Sequence, residues 1–182
     1  VYPTEGDYYR LNAMGFMGDY NYRPHDGINR TSNNVYWGQL EFNAKNYFSL
    51  TRKFKVGTEL NVLASTKKLL SNYYASIVQA PAFAPTASSY NAFNPAFRAN
   101  SYATLGLKPI WRVSSTLQLR GEFHTFMPFR KIKENTIDFT PYYGKWFANP
   151  EFLGEVSVVF RLPFASLSAY GNYMSYPARN WG

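Results

Sequence analysis

Three stretches of the chain alternate polar and apolar residues almost without a break. They cover residues 35–44, 53–62 and 116–124. Successive side chains of a β-strand point to opposite faces, so a period of two predicts strands with one polar and one apolar face. In the second stretch the polar face carries both signs of charge, for example Lys55 and Glu59. The pattern therefore predicts a sheet with a charged face and an apolar face.

The same signals extend to seven predicted strands, separated by gaps that alternate in length. The strands are predicted over residues 7–17, 34–48, 53–65, 101–113, 115–127, 151–162 and 164–176. Short turns are predicted at 49–52, 113–115 and 162–164, and long gaps rich in Pro, Gly and Asn at 18–33, 66–100 and 128–150. Tight turns at one end and long loops at the other are typical of outer-membrane barrels. The predicted fold is all-β: an antiparallel up-and-down transmembrane β-barrel, with short periplasmic turns, long extracellular loops and residues 1–182 in one domain.

The gap 66–100 is too long for a simple loop. Residues 69–78 have the spacing of a short amphipathic helix, and Pro81, Pro85 and Pro95 follow. Two interpretations stay open. The gap is either a structured extracellular element folded over or into the lumen, or a mobile loop with one helical turn.

Composition agrees with a barrel of the bacterial outer membrane. Aromatic residues make up 19% of the chain, with 16 Tyr and 15 Phe, as expected for interfacial aromatic girdles. No apolar run approaches the roughly 18 residues that a transmembrane helix needs. The absence of cysteine fits an oxidising compartment. The net charge is +8, but no long basic run favours nucleic acid as a partner, whereas anionic lipid headgroups fit.

Charged residues on the strands are predicted to line the lumen, because each would cost about 2–4 kcal/mol if it faced lipid near the midplane. Opposite charges on neighbouring strands can pair across the ladder. Structural pairing is the default interpretation, and a selectivity or transport role is the alternative. The predicted lumen charge network consists of Glu41, Lys55, Glu59, Lys108, Arg112, Arg120, Glu122, Glu155 and Arg161.

Two further groups of residues are predicted to contact the membrane. The candidates for the aromatic belts are Tyr36, Trp37, Tyr47, Tyr102, Trp111 and Trp146. The basic cluster Arg130, Lys131 and Lys133 follows the fifth predicted strand. It is either a solvated loop or a contact for the phosphates of outer-leaflet lipopolysaccharide, which basic side chains bind well.

Motifs for catalysis, metals and cofactors are missing from the sequence. There is no nucleophile elbow and no Gly-rich phosphate loop. His124 and Glu122 share one face of a predicted strand, but a structural histidine is favoured over a general base. His25 and Asp26 with Asp19 resemble many loop clusters without metal. The sequence therefore predicts no enzyme activity, no metal and no cofactor for this chain.

Short sequence words resemble a known family. Tyr2, Pro3, Thr4, Glu5 and Gly6 precede an alternating strand, and they resemble the strand-entrance motif of the outer-membrane surface-antigen barrels. The words at 70–73, 80–83, 97–100 and 162–168 look like the C-terminal barrel of Bacteroidetes patatin-like phospholipases. The resemblance covers essentially the whole chain.

This resemblance implies a larger parent protein. In that family an N-terminal patatin domain and a small periplasmic domain precede a barrel of roughly 16 strands. The chain would be the C-terminal half of such a barrel. It lacks the patatin Ser/Asp dyad and the Gly-rich oxyanion loop, so no catalytic role carries over to any residue here. The chain lacks an initiator Met and stops at Asn180-Trp181-Gly182 as a further strand begins, so we expect a segment of something larger.

The resulting expectation is a non-catalytic translocator or anchor segment in the outer membrane. Its expected partners are outer-membrane lipids and the remaining barrel strands or N-terminal domains, with a homodimer as a further option. Two alternatives stay open. One is a small stand-alone channel or adhesin, and the other is a soluble β-sandwich that binds carbohydrate through its many Tyr and Trp.

Overall fold

The computed structural model describes residues 5–22, 31–90 and 93–175. Within these ranges the chain is nearly all antiparallel β-structure. The strands are β1 (Gly6–Tyr22), β2 (Thr31–Ser49), β3 (Phe54–Ser65), β4 (Tyr102–Arg112), β5 (Leu117–Pro128), β6 (Arg130–Glu134), β7 (Pro141–Trp146), β8 (Glu151–Arg161) and β9 (Ser166–Met174). The helices are α1 (Tyr73–Gln79), α2 (Ala87–Tyr90) and a 3₁₀ turn (Pro95–Phe97).

Seven of these strands form one antiparallel sheet in the order β1-β2-β3-β4-β5-β8-β9. They are the seven strands predicted from the sequence, so the all-β, antiparallel, up-and-down part of the prediction is confirmed. β1 is longer than predicted, since it continues to Tyr22. The described sheet is open, with β1 and β9 at its edges, and it does not close into a barrel. None of the described helices is long and apolar enough to cross a membrane.

Strand register sorts the side chains onto two faces. Lys45 lies opposite Glu59, Glu59 opposite Gly106, and Gly106 opposite His124. Paired residues share a face, so one face carries the charges at alternating positions of β2 to β8. We call it the polar face. The apolar face is the other side, on which Leu105 and Phe123 lie.

Short turns join β2 to β3, β4 to β5 and β8 to β9, as predicted. The first two use the same side-chain contact. Thr51 Oγ1 accepts a hydrogen bond from the Phe54 N–H (2.9 Å), and Ser114 Oγ accepts one from the Leu117 N–H (3.0 Å). A hydroxyl that accepts a backbone N–H a few residues later stabilises a tight reversal of the chain. These turns therefore form from local sequence.

Residues 66–90 and 93–100, which together we call the cover segment, fold onto the polar face at the opposite end. Asn72 begins α1 by accepting a hydrogen bond from the Ala75 N–H (3.2 Å), and Asn94 caps the 3₁₀ turn through the Ala96 N–H (2.9 Å). Such amide caps satisfy backbone donors that a short helix leaves unpaired. The structure shows a structured element in this gap, and its placement over a lumen on the extracellular side stays a prediction. The predicted helix at 69–78 is present but begins four residues later, at Tyr73.

A second hairpin, β6–β7, lies within the gap 128–150, which the sequence predicted as a loop. Its Ile132 is buried against Ile77 and Ala80 of the cover segment, and Tyr143 packs on the same cluster. Asn100 Nδ2 also donates to the Tyr143 hydroxyl (2.8 Å). The hairpin is therefore held by contacts with a distant part of the chain.

Candidate functional site

The centre of the polar face is a chain of ion pairs that crosses three interstrand boundaries. The Glu59 carboxylate lies 2.9 Å from Lys45 Nζ and 2.9 Å from Lys108 Nζ. Lys108 Nζ lies 3.2 Å from Glu122, and His124 Nε2 lies 3.8 Å from the same carboxylate. Buried charges are tolerated when each has a partner of opposite sign. The structure thus brings together three members of the predicted network, Glu59, Lys108 and Glu122, and adds Lys45.

Two glycines make room for aromatic rings beside these ion pairs. The Tyr47 ring lies over Gly57, and the His124 ring lies over Gly106, each directly across the ladder. A Cβ at Gly57 would come within 2.4 Å of Tyr47, and one at Gly106 within 2.6 Å of His124. Any larger residue would therefore displace the ring. Glycine in these strands permits close approach of a ring to the backbone.

The cover segment seals this region with aromatic side chains. Phe83 packs on the rings of His124 and Phe126, with centroid separations of 5.5 Å and 6.0 Å. Phe97 contacts Phe126 from the same segment at 5.7 Å. Leu63, Tyr102 and Leu153 of the sheet complete this cluster. Apolar contacts of this kind bury area and so hold the segment on the charged face.

Polar contacts also tie the cover segment down. Ser88 Oγ donates to the Glu155 carboxylate at 2.9 Å. Arg98 Nη1 donates to the carbonyls of Val78 (2.7 Å) and Ala80 (3.0 Å), which satisfies acceptors at the end of α1. Burial lowers the pKa of Arg98 from its ordinary value. Polar contacts thus join the cover segment to the sheet through Ser88 and hold its own backbone together through Arg98.

The other predicted lumen charges lie on the same face but outside the central chain of ion pairs. Glu41 accepts hydrogen bonds from the side-chain amides of Asn12 (3.3 Å) and Asn61 (3.4 Å). Arg120 is buried and donates to Gln118 Oε1 at 2.9 Å. Register places the rest, namely Lys55, Glu155, Arg112 and Arg161, on the polar face as well. Glu155 lies directly opposite Glu122, which has the same charge. Lys108 forms an ion pair with Glu122, and Ser88 donates a hydrogen bond to Glu155.

Lys55 connects the polar face to the start of the chain. It forms an ion pair with Glu5, which precedes β1. The hydrogen bond and positive charge of Lys55 lower the pKa of the Glu5 carboxyl. Gly6 begins the strand with a φ of +94°, a conformation that glycine adopts easily. Tyr2, Pro3 and Thr4 of the predicted strand-entrance motif lie outside the described residues.

The apolar face has the opposite character, since its large side chains are exposed. Leu105 is 65% exposed and Phe152 is 52% exposed, in the middle of their strands. Others on this face share this exposure: Leu40, Leu107, Phe123, Val156, Phe160, Leu167 and Tyr173. Large exposed apolar patches are found in proteins where lipid or another protein makes contact.

The predicted belt residues do not share one face. Tyr36 and Trp111 lie exposed on the apolar face, where a belt must lie. Trp37 lies on the polar face, stacked on Phe16 at 5.0 Å. Neighbouring residues of a strand point to opposite faces, so Tyr36 and Trp37 are separated by the sheet.

Three further belt candidates do not lie exposed on the apolar face of the seven-strand sheet. Tyr102 is 4% exposed and belongs to the core cluster beneath the cover segment. Tyr47 lies over Gly57 on the polar face. Trp146 ends β7, outside the seven-strand sheet, with Arg130 over its ring at 5.5 Å. Tyr47 and Tyr102 are on the polar face because of their positions along the strands. Trp146 is on the β6–β7 hairpin and so is not part of the apolar face of the sheet.

The basic cluster lies on strand β6 rather than in a solvated loop. Arg130 stacks over the rings of Tyr143 (4.7 Å) and Trp146, and Lys131 forms an ion pair with Glu151. Lys133 is exposed, with its stem over Gly144. Arg130 and Lys131 are thus occupied within the chain, so Lys133 is the member best placed for an outside anion.

The chemistry of the site is that of a charge network. The described residues contain no group of three His, Asp or Glu side chains arranged to hold a metal. The candidate ligands His25 and Asp26 lie outside the described residues. The His124 ring is buried beneath Phe83.

Comparison with known proteins identifies no relative. The chain matches no protein-family model, and neither a curated protein nor a solved structure is significantly similar to it.

The predicted lumen network left out the neutral residues of the polar face and one lysine. Asn61, Thr104 and Gln118 are buried there beside the charges, and Lys45 joins the ion pairs. Strand parity identifies them, because each lies an even number of positions from a predicted charge of its own strand. These charges are Glu59 for Asn61, Lys108 for Thr104, Arg120 for Gln118 and Glu41 for Lys45. The aromatic cover by Phe83 and Phe97 is different, since nothing in the local sequence identifies its contacts.

Proposed function

We propose that this chain forms part of the wall of an outer-membrane β-barrel, with the apolar face toward lipid and the polar face toward the lumen. One observation carries the proposal. Large apolar side chains are exposed on one face, whereas charges such as Glu59, 6% exposed, are buried on the other. Water favours the opposite distribution, because exposed apolar area costs about 25 cal/mol per Å². A lipid environment removes that cost.

Strand length supports the same proposal. β4 and β8 have 11 residues and β5 has 12. A tilted strand needs about 9–11 residues to cross the hydrocarbon core. The tight turns at one end and the cover segment and β6–β7 hairpin at the other fit the usual asymmetry of outer-membrane barrels. Tyr36 and Trp111 are the belt residues that this proposal retains.

The wider proposal is that the chain anchors a larger protein. The resemblance to the barrels of patatin-like surface antigens motivates it, and the chain's own role is then non-catalytic. Outer-membrane lipids and further barrel strands are the proposed partners. In this arrangement the cover segment partly closes the lumen, and the ion pairs beneath it stabilise the wall.

Single cysteines test the membrane arrangement, because the chain has none of its own. Leu105→Cys lies on the apolar face, and Asn43→Cys lies on the polar face, outside the cover segment. In liposomes we expect a charged, membrane-impermeant thiol reagent to label Asn43→Cys and spare Leu105→Cys. A fluorophore on Leu105→Cys should be quenched by brominated lipid. After unfolding in detergent both cysteines should react equally, which controls for intrinsic reactivity.

Two results would contradict the proposal. Equal labelling of both cysteines in intact liposomes would place the apolar face in water. Extraction without detergent, with a monomeric gel-filtration peak, would favour the soluble carbohydrate-binding sandwich. A stand-alone channel or adhesin would behave like the proposed wall in both assays but would conduct or adhere when purified alone.

A further inference from the structure

The polar face becomes strongly cationic toward the short turns. Each of four adjacent strands contributes a basic residue at this end: Lys55 on β3, Arg112 on β4, Arg120 on β5 and Arg161 on β8. Lys53 lies directly before β3, and its carbonyl accepts a hydrogen bond from the Arg112 N–H (2.7 Å). We call these five residues the cationic end.

Few carboxylates balance the charge of the cationic end. No Asp or Glu occurs in the three short turns and the strand ends beside them, at residues 49–56, 109–120 and 156–166. The next carboxylates along β5 and β8 are Glu122 and Glu155. Lys108 and Ser88 already bind them. The cationic end therefore keeps an excess of positive charge, whereas both signs alternate among the central ion pairs.

One acidic side chain from outside the sheet already binds at the cationic end. Glu5, which precedes β1, forms an ion pair with Lys55. The hydrogen bond and charge of Lys55, and more weakly the charge of Arg112, hold the pKa of the Glu5 carboxyl below its ordinary value. Glu5 thus shows that a carboxylate carried on a polypeptide fits this surface.

Three other basic residues of the cationic end can bind an outside anion. Lys53 and Arg112 are exposed, and Arg161 is partly exposed. The side chains of these three residues form no ion pair or hydrogen bond within the part of the chain that the structure describes. Arg120 is buried, so it contributes charge to the surface rather than a contact.

We infer that the cationic end binds an acidic polypeptide segment. Neighbouring strands lie about 4.8 Å apart, so basic residues on four strands spread over about 14 Å. An extended chain of about five residues covers that distance. A single small anion reaches only some of these side chains, whereas a row of carboxylates meets them one after another. The arginines suit such a partner, because a guanidinium binds two oxygens of one carboxylate.

The neutral residues among these charges favour a polypeptide over a nucleic acid. On β4, β5 and β8 they are Ile110, Gln118, Ser157 and Val159. None of them has an aromatic ring, whereas proteins that hold single-stranded nucleic acid stack its bases on aromatic side chains. The surface needs only the folded sheet, so the inference does not depend on where the apolar face lies.

The test uses the whole chain purified in detergent and fluorescent hexaglutamate, with hexaglutamine as the neutral probe. Fluorescence anisotropy follows binding at low and at physiological salt. We expect hexaglutamate to bind and hexaglutamine not to bind. The triple variant Lys53→Gln, Arg112→Gln, Arg161→Gln should weaken hexaglutamate binding by about tenfold or more, since each exposed ion pair contributes up to about fivefold.

The matched control is the triple variant Lys68→Gln, Lys133→Gln, Lys145→Gln. It removes three exposed lysines at the opposite end of the strands and changes the net charge equally. It should change the affinity by less than about twofold, because salt screens distant charges. Equal weakening by both triple variants would show that the net charge attracts anions without a defined surface. Unchanged affinity in the first triple variant, with native circular dichroism, would also overturn the inference. Equal affinity for a thymidine hexanucleotide, lost in the same variant, would assign a nucleic acid instead.

Glu5→Gln tests the inference in the opposite direction. It removes the carboxylate that occupies Lys55, so hexaglutamate should bind about twofold or more tightly. Asp138→Asn changes the net charge equally at an exposed aspartate between β6 and β7, and it should leave the affinity nearly unchanged. Equal tightening in both variants would contradict a surface that Glu5 and the partner share.

Discussion

Two phenylalanines of β5 show how different the two faces of the sheet are. Phe126 is 0% exposed on the polar face, and Phe123, three residues earlier, is 46% exposed on the apolar face. The strand is the same and the residue type is the same. The cover segment packs on the polar face, whereas the large side chains of the apolar face are exposed.

Burial in this sheet does not follow polarity. The cover segment supplies Phe83 and Phe97 to pack on Phe126, and the same segment places Ser88 on Glu155. Glu59 is buried with a lysine partner on each neighbouring strand. Apolar side chains of the other face remain exposed because none of the described residues covers them. Apolar area that stays exposed in this way costs free energy in water.

The largest effect should come from Phe126→Ala. Removing a fully buried phenylalanine leaves a cavity and should lower the free energy of unfolding by about 3–5 kcal/mol. Phe123→Ala, on the other face of the same strand, is the control and should cost less than half as much. Denaturant unfolding in detergent measures both. Equal losses would mean that the two faces are equally packed.

Next in size is Glu59→Gln, which removes the carboxylate that Lys45 and Lys108 share. Breaking a buried pair leaves uncompensated charge, and we expect a loss of roughly 3 kcal/mol. Adding Lys108→Met removes one of the orphaned charges, so the double variant should lose less than the sum of the two single variants. Strict additivity of the two substitutions would show that the ion pair contributes nothing.

Phe83→Ala should act locally, by loosening the cover segment. We expect the free energy of local opening to fall by about 2 kcal/mol, since the segment can partly collapse into the space. Trypsin cleavage after the exposed Lys68 reports opening. Phe93→Ala, at an exposed phenylalanine of the same segment, should leave the cleavage rate nearly unchanged. A faster rate in both variants would mean that Phe83 is not the anchor.

The smallest effect should come from Ser88→Ala. It deletes one hydrogen bond to the Glu155 carboxylate and should destabilise the cover segment by about 1–2 kcal/mol. The same cleavage assay measures it, with Ser71→Ala as the exposed control. An effect larger than that of Phe83→Ala would show that polar contacts dominate the attachment.

Much of the sheet could be predicted from sequence because its signals are local. Alternation around Glu59 and Glu122 located the strands and put the charges on one face. The turns after β2 and β4 depend on one hydroxyl each, Thr51 and Ser114. The same alternation also places Trp37, Tyr47 and Tyr102 on the polar face. They were predicted as belt residues because they are aromatic, without regard to their position in the alternation.

The remaining features depend on contacts between distant residues. The strand β6 has only five residues, and its Ile132 is buried by α1, more than fifty positions earlier. The seal formed by Phe83 over His124 joins segments that no local pattern relates.

The order of the sheet has one geometric consequence. Each antiparallel neighbour reverses the direction of the chain, and six reversals separate β1 from β9. The two edge strands therefore run the same way. If the sheet is closed into a ring in which every pair of neighbours is antiparallel, an odd number of further strands must lie between β9 and β1. A second copy of the chain in the same orientation would place its β1 beside β9 of the first copy. These two strands would be parallel, so two such copies could not form a ring that is antiparallel throughout.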